Sequence, residues 1–91
     1  MALRWTKQAH SDLVRIHEFL TPVSSAAAAR VAQAIVARVK RIPAQPRLGQ
    51  SLAEFSPREV RRLLVGDYEI RYELATKDIF VLRLFHTRED R

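Results

Sequence analysis

From Tyr68 to Leu74 the chain reads Tyr-Glu-Ile-Arg-Tyr-Glu-Leu, with apolar and charged side chains in strict alternation. A period of two places Tyr68, Ile70, Tyr72 and Leu74 on one face of a β-strand and Glu69, Arg71 and Glu73 on the other. Such a strand has one buried and one wet face, so the rest of the chain must cover the first. Upstream, Leu63-Leu64-Val65 runs into Gly66-Asp67, and a glycine first in a two-residue loop supplies the positive φ of a type II′ hairpin. Downstream, the short polar link Ala75-Thr76-Lys77-Asp78 leads into Ile79-Phe80-Val81-Leu82-Arg83-Leu84-Phe85-His86. Links this short cannot carry parallel crossovers, so Arg58 to Arg88 is expected to form a three-stranded antiparallel meander. The last strand is apolar almost throughout, as an interior strand should be, and Arg83 marks its more open face. Either register of the first strand leaves one of Arg61 and Arg62 on the buried side, and the sequence does not decide which.

The cover comes from the N-terminal half. Ala2–Trp5 is a short candidate strand, expected to join an edge of the meander, and Thr6 is placed to cap a helix. Ala9, Leu13, Ile16 and Leu20, with Phe19 beside them, form an apolar stripe at helical spacing, leaving Lys7, His10, Asp12, Arg15 and Glu18 for the outer faces. Pro22 interrupts this helix. Ser24 or Ser25 then caps a second one, expected to reach about Ile42, with a seam through Ala28, Val31 or Ala32, Ile35, Val39 and Ile42. Its alanines permit close approach of the two helices as an antiparallel hairpin. Pro43, Pro46 and Gly49 end it and open a loop over residues 44–57. The expected fold is α+β, in the order β-α-α-β-β-β. An N-terminal strand joins a sheet of three or four antiparallel strands, and the helical hairpin packs on one face of it.

With 91 residues the chain suits a single domain over residues 1–91 that buries roughly 60–65% of its unfolded surface. There is no cysteine, which excludes disulfides and thiolate metal sites. His10 and His17 lie on the polar side of the first helix, and no histidine pair has metal-ligand spacing, so neither a metal nor a cofactor is expected. No signal-peptide layout or membrane-length apolar run is present, and the expectation is a soluble protein of the cytoplasm with no membrane association. The formal net charge is +6, and between Phe19 and Ala53 the charged residues are Arg30, Arg38, Lys40, Arg41 and Arg47 together with none of opposite sign before Glu54. A basic stretch of that kind expects an acidic partner, nucleic acid or protein.

Several stretches, in this order and at these spacings, resemble the RelE/ParE toxin superfamily of type II toxin–antitoxin modules, and ParE in particular. They are Trp5-Thr6 with Ala9, Asp12-Leu13, Ile16 and Phe19-Leu20; the proline-containing exit Pro43–Gly49; Val60-Arg61 with Leu63; Val65-Gly66-Asp67-Tyr68-Glu69-Ile70-Arg71-Tyr72; and the ending Val81-Leu82-Arg83-Leu84-Phe85-His86 with Arg88. The resemblance implies a growth-inhibiting plasmid-stabilisation toxin neutralised by a cognate antitoxin, a ParD-like ribbon-helix-helix protein with a disordered C-terminal segment. ParE-like members poison DNA gyrase by binding and use no catalytic residue of their own. For that reading Arg61, Arg83, His86 and Arg88, with the terminal Glu89-Asp90-Arg91, are target-binding candidates, and Arg30, Arg38, Lys40 and Arg41 are antitoxin-binding candidates.

RelE-like members instead cut mRNA on the ribosome, a reaction that needs a proton acceptor, a proton donor and cations on the phosphate. Here His86 and Arg61 would be the catalytic pair, with Arg83 and Arg88 as phosphate clamps. Two departures favour ParE: no tyrosine follows Tyr72, and the loop over residues 44–57 carries no lysine cluster. A third reading, direct nucleic-acid binding by the basic helices, lacks any DNA-reading motif.

Overall fold

The computed structural model describes residues 1–89 and builds β1 (Ala2–Trp5), α1 (Lys7–Leu20), α2 (Ser25–Lys40), β2 (Gln50–Ser51), β3 (Glu59–Val65), β4 (Tyr68–Leu74) and β5 (Asp78–His86). Side-chain caps start both helices. Thr6 Oγ1 accepts the Ala9 N–H and Ser24 Oγ accepts the Ala27 N–H, each meeting one of the donors a helix start leaves unpaired. The second helix stops at Lys40, two residues short of expectation. Ile42–Ala44 continues as a single 3₁₀ turn containing Pro43, whose missing N–H and ring are incompatible with another α-helical turn.

Five strands form one sheet in the order β1-β5-β4-β3-β2. The meander β3-β4-β5 is antiparallel, with Gly66 at φ 56° and no positive φ at Asp67, as a type II′ turn requires. Two features differ from the expected sheet of three or four antiparallel strands. β1 lies parallel to β5, which the long intervening helical chain permits. β2 pairs Gln50 with Arg62 and Ser51 with Arg61, inside the expected loop, and two residues are too few to carry an alternation signal.

The helical hairpin covers one sheet face. Ala9 and Ile16 of α1, Ile35 and Val39 of α2, and Ile42 pack with Leu63, Ile70, Tyr72, Leu74, Ile79, Val81 and Leu84. Full burial of each large aliphatic side chain contributes about 1.5–3 kcal/mol. Phe19, expected in the α1 stripe, instead projects outward at 76% exposure. It sits one step off the Ile16–Leu20 line, which already fills the contact with the sheet. Asp12, expected on an outer face, is buried. It follows Ala9 by three positions and precedes Ile16 by four, so the helix carries it onto the covered side.

The second sheet face was expected to be wet, but Glu69 there is fully buried. Cross-strand register explains the burial. Three rows run across this face: Val60–Glu73–Phe80, Arg62–Arg71–Arg83 and Leu64–Glu69–Phe85. Glu69 lies beside the arginine row, and long guanidinium side chains cover it.

Candidate functional site

The register separates Arg61 from Arg62. Arg61 lies opposite Tyr72 and shares the helix-covered side with Leu63, whereas Arg62 lies opposite Arg71 on the second face. Arg61 is held at the sheet margin through Nε and Nη1. It donates to the Gly49 carbonyl at 2.7 Å, to the Arg47 carbonyl at 3.3 Å and to Glu59 at 3.0 Å. Arg47 adds a bidentate bond to the same carboxylate, and the Arg47 and Arg61 hydrogen bonds hold Glu59 below the ordinary glutamate range.

Next to Arg61, Tyr72 pins the loop. Its hydroxyl donates to the Pro46 carbonyl at 2.7 Å and accepts the Gly49 N–H at 3.1 Å. Burial pushes the phenol pKa up, against the opposing effects of the Gly49 hydrogen bond and the Arg61 charge. Gly49 is required by space, because a Cβ there would lie 2.7 Å from both the Arg62 carbonyl and the Tyr72 hydroxyl.

His86 occupies a different place. It pairs with Tyr68 at the far end of β4, and the two rings meet edge to face with centroids 5.1 Å apart. The Arg88 N–H donates to His86 Nδ1 at 3.1 Å. Together with Arg15, Ile16 and Phe19, these residues line an open groove of about 450 Å³ between the end of α1 and the β4-β5 rim. Glu89 closes one side by accepting Arg15 at 2.7 Å. The groove joins an exposed aromatic ring, a histidine and two arginines, and it is open rather than an enclosed chamber. Asp90 and Arg91, the other terminal candidates, lie outside the described residues.

Arg83 sits between these regions. β1 ends opposite Val81, which leaves the rest of the β5 edge to be closed by α1. Thr6 Oγ1 donates to the Leu82 carbonyl, and Asp12 accepts the Leu84 N–H at 2.9 Å. The same carboxylate takes Arg83 Nε at 2.8 Å and Nη2 at 3.2 Å. Burial alone would raise the Asp12 pKa. The Arg83 hydrogen bond, the Leu84 N–H and the nearby Arg83 and Arg15 charges outweigh it, so the carboxyl titrates below the ordinary aspartate value.

The antitoxin-binding candidates lie along α2 and at its C-terminal cap. Arg30, Lys40 and Arg41 are exposed and Arg38 is half-buried. None of the four makes an ion pair with a described residue. Arg30 stands at a shallow apolar groove of about 350 Å³ formed by Val31, Ala34 and Ile35 of α2 with Val65 and Tyr68 of the hairpin.

The fold thus distributes the candidates rather than gathering them. Arg61 and His86 are separated by β4 and lie opposite residues four apart along it, roughly 13 Å lengthwise and about 10 Å across. His86 and Arg88 share one groove, whereas Arg83 belongs to the second sheet face and is tied to Asp12 on α1. The sequence reading missed Asp12, Arg62 and Tyr72 as organising residues. For Asp12 the signal was its position within the Ala9–Ile16 stripe, where a carboxylate requires a buried partner. Among the described residues, no three histidine or acidic side chains converge as a metal site, and no helix is long and apolar enough to cross a membrane.

Comparison with known proteins agrees with this architecture. A chain from a solved structure of the chromosomal ParDE toxin–antitoxin system of P. aeruginosa superposes with a TM-score of 0.78 at 26% identity, covering 94% of this chain and 95% of that one. No curated protein sequence gives a significant match. The family model for the ParE toxin of the type II toxin–antitoxin system parDE matches residues 3–91. The chain belongs to the ParE toxin family of type II toxin–antitoxin systems.

Proposed function

We propose that this protein inhibits bacterial growth in the cytoplasm by binding DNA gyrase and stabilising its cleaved-DNA complex, without a chemical step of its own. The supporting observation is the separation of Arg61 from His86. Acid–base cleavage of RNA needs both at one scissile phosphate, within hydrogen-bond reach. They stand more than one strand apart, and Arg61 is held by Glu59 and the Gly49 carbonyl. The His86–Arg88–Phe19 groove, with Arg83 beside it, is the gyrase-binding surface on this reading. Gyrase supercoiling assays with the purified protein test it: cleaved DNA should accumulate, and Arg88→Glu should reduce the accumulation.

The neutralising partner on this reading is a ParD-like antitoxin. Its amphipathic segment docks along α2, with apolar side chains in the Val31–Val65 groove and acidic ones on Arg30, Arg38, Lys40 and Arg41. Those cations, unpaired among the described residues, are matched to an acidic segment by charge. Co-purification with the antitoxin, and its loss when the four cations are reversed, tests the assignment.

A further inference from the structure

The second sheet face carries an arrangement that the gyrase groove borders only at Arg83 and that the antitoxin surface does not use. Arg62, Arg71 and Arg83 stand in register on three adjacent strands, about 4.8 Å apart from strand to strand. Arg71 lies between two aromatic rings, with its guanidinium carbon 5.4 Å from the Phe55 centroid and 5.3 Å from that of Phe85. Arg83 stacks on Phe85 as well, at 4.9 Å. These rings fix the guanidinium planes and exclude water beneath them.

The row holds three cations against two carboxylates. Glu69 serves Arg62 at 3.4 Å and Arg71 at 3.0 Å, and Asp12 serves Arg83. Among the described residues donor capacity remains at the outer nitrogens: Arg62 spends Nε on Gln50 and Nη1 on Glu69, and Arg71 spends only Nη2 on Glu69. An under-satisfied, pre-oriented arginine row favours an anion with several acceptor oxygens.

We propose that the Arg62–Arg71–Arg83 row is a seat for the phosphodiester backbone of nucleic acid, taking one or two phosphates. A peptide has little to hold there. Peptides dock by adding a strand at an open edge or by filling apolar pockets. Here β4 is paired on both sides, β2 covers β3 at Arg61 and Arg62, Asp12 closes the β5 edge at Leu84, and Leu64 is the one large exposed apolar side chain of the three rows. A polyanion needs only the cations. The inference goes beyond the gyrase reading, because it concerns binding by the isolated toxin.

Fluorescence anisotropy with a short labelled DNA duplex tests it. Wild-type protein is expected to bind at low salt with a log–log salt slope of about −1 to −2, as one or two neutralised phosphates require. Arg62→Ala should weaken binding about fivefold to tenfold, and Arg62→Lys, which keeps the charge, should recover part of the loss. Lys77→Gln, an equal charge change on the exposed β4-β5 link, should alter it less than about twofold. Equal losses for Arg62→Ala and Lys77→Gln, or a larger loss for Arg38→Gln, overturn the assignment. So does poly-glutamate binding more tightly than DNA with the same dependence on Arg62, which would make the occupant an acidic protein segment. Gyrase inhibition with no Arg62-dependent DNA binding overturns the seat and leaves the gyrase reading standing. Arg62-dependent binding without gyrase inhibition does the reverse.

Discussion

Asp12 and Arg83 meet at 2.8 Å across the unpaired edge of β5, and the same Asp12 carboxylate accepts the Leu84 N–H. One side chain on α1 therefore closes a strand edge, docks the helix on the sheet and sets the direction of Arg83. Asp12→Ala leaves both the Leu84 N–H and Arg83 without their acceptor. We expect a loss of about 2–4 kcal/mol in denaturant unfolding, and a smaller loss for Asp12→Asn, which keeps one acceptor oxygen.

The same contact predicts an acid limit. The Asp12 carboxyl titrates below its ordinary value in the folded protein, as do Glu59 beside Arg47 and Glu73 beside Arg58. For such groups the unfolded chain binds protons more readily than the folded one. Their stabilisation is present above about pH 4 and is lost as the pH falls through the lower folded values. Thermal unfolding followed between neutral and acidic pH should show Tm falling in that window, and less steeply in Asp12→Asn.

Tyr72 and Gly49 form the second fixed point. Tyr72→Phe removes the hydroxyl that serves both the Pro46 carbonyl and the Gly49 N–H, at a cost of about 1–3 kcal/mol. Gly49→Ala forces a methyl group against the Arg62 carbonyl and should cost a similar ~1–3 kcal/mol. Both variants should loosen the segment that carries Arg47, measurable as faster amide exchange over residues 45–52.

Phe19 provides the contrast. At 76% exposure it adds little to the core, so Phe19→Ser should leave stability within about 0.5 kcal/mol. As part of the His86 groove it should nonetheless weaken target binding. Unchanged inhibition would remove the groove's apolar lip from the account.

Charge reversal at Arg38, Lys40 and Arg41 should weaken the antitoxin complex chiefly by slowing association. It should also make affinity less sensitive to salt, because the screened attraction is what the reversal removes. Stopped-flow association at two ionic strengths distinguishes this from loss of apolar contact, which acts mainly on dissociation.

Much of the fold was legible because alternation in Tyr68–Leu74 and the helical stripes of α1 and α2 are dictated by which face is buried. The hairpin turn followed from Gly66-Asp67, the first helix start from Thr6, and the second to within the pair Ser24 and Ser25. Register was not legible, since a shift of one residue exchanges Arg61 with Arg62 and the local pattern accepts either. The buried charges were also hidden. Asp12 and Glu69 count as surface residues by type, and only the cross-strand partners Arg83, Arg62 and Arg71 make their burial tolerable. β2 and the parallel pairing of β1 depend on contacts between segments distant in sequence, which no local signal encodes.

The most direct measurement follows gyrase and mRNA in parallel with the purified protein. Gyrase-cleaved DNA should accumulate with mRNA intact on translating ribosomes, and Arg61→Ala, whose partners are internal, should retain that activity. Ribosome-dependent mRNA cutting with unaffected gyrase, abolished by His86→Ala, would contradict the gyrase reading.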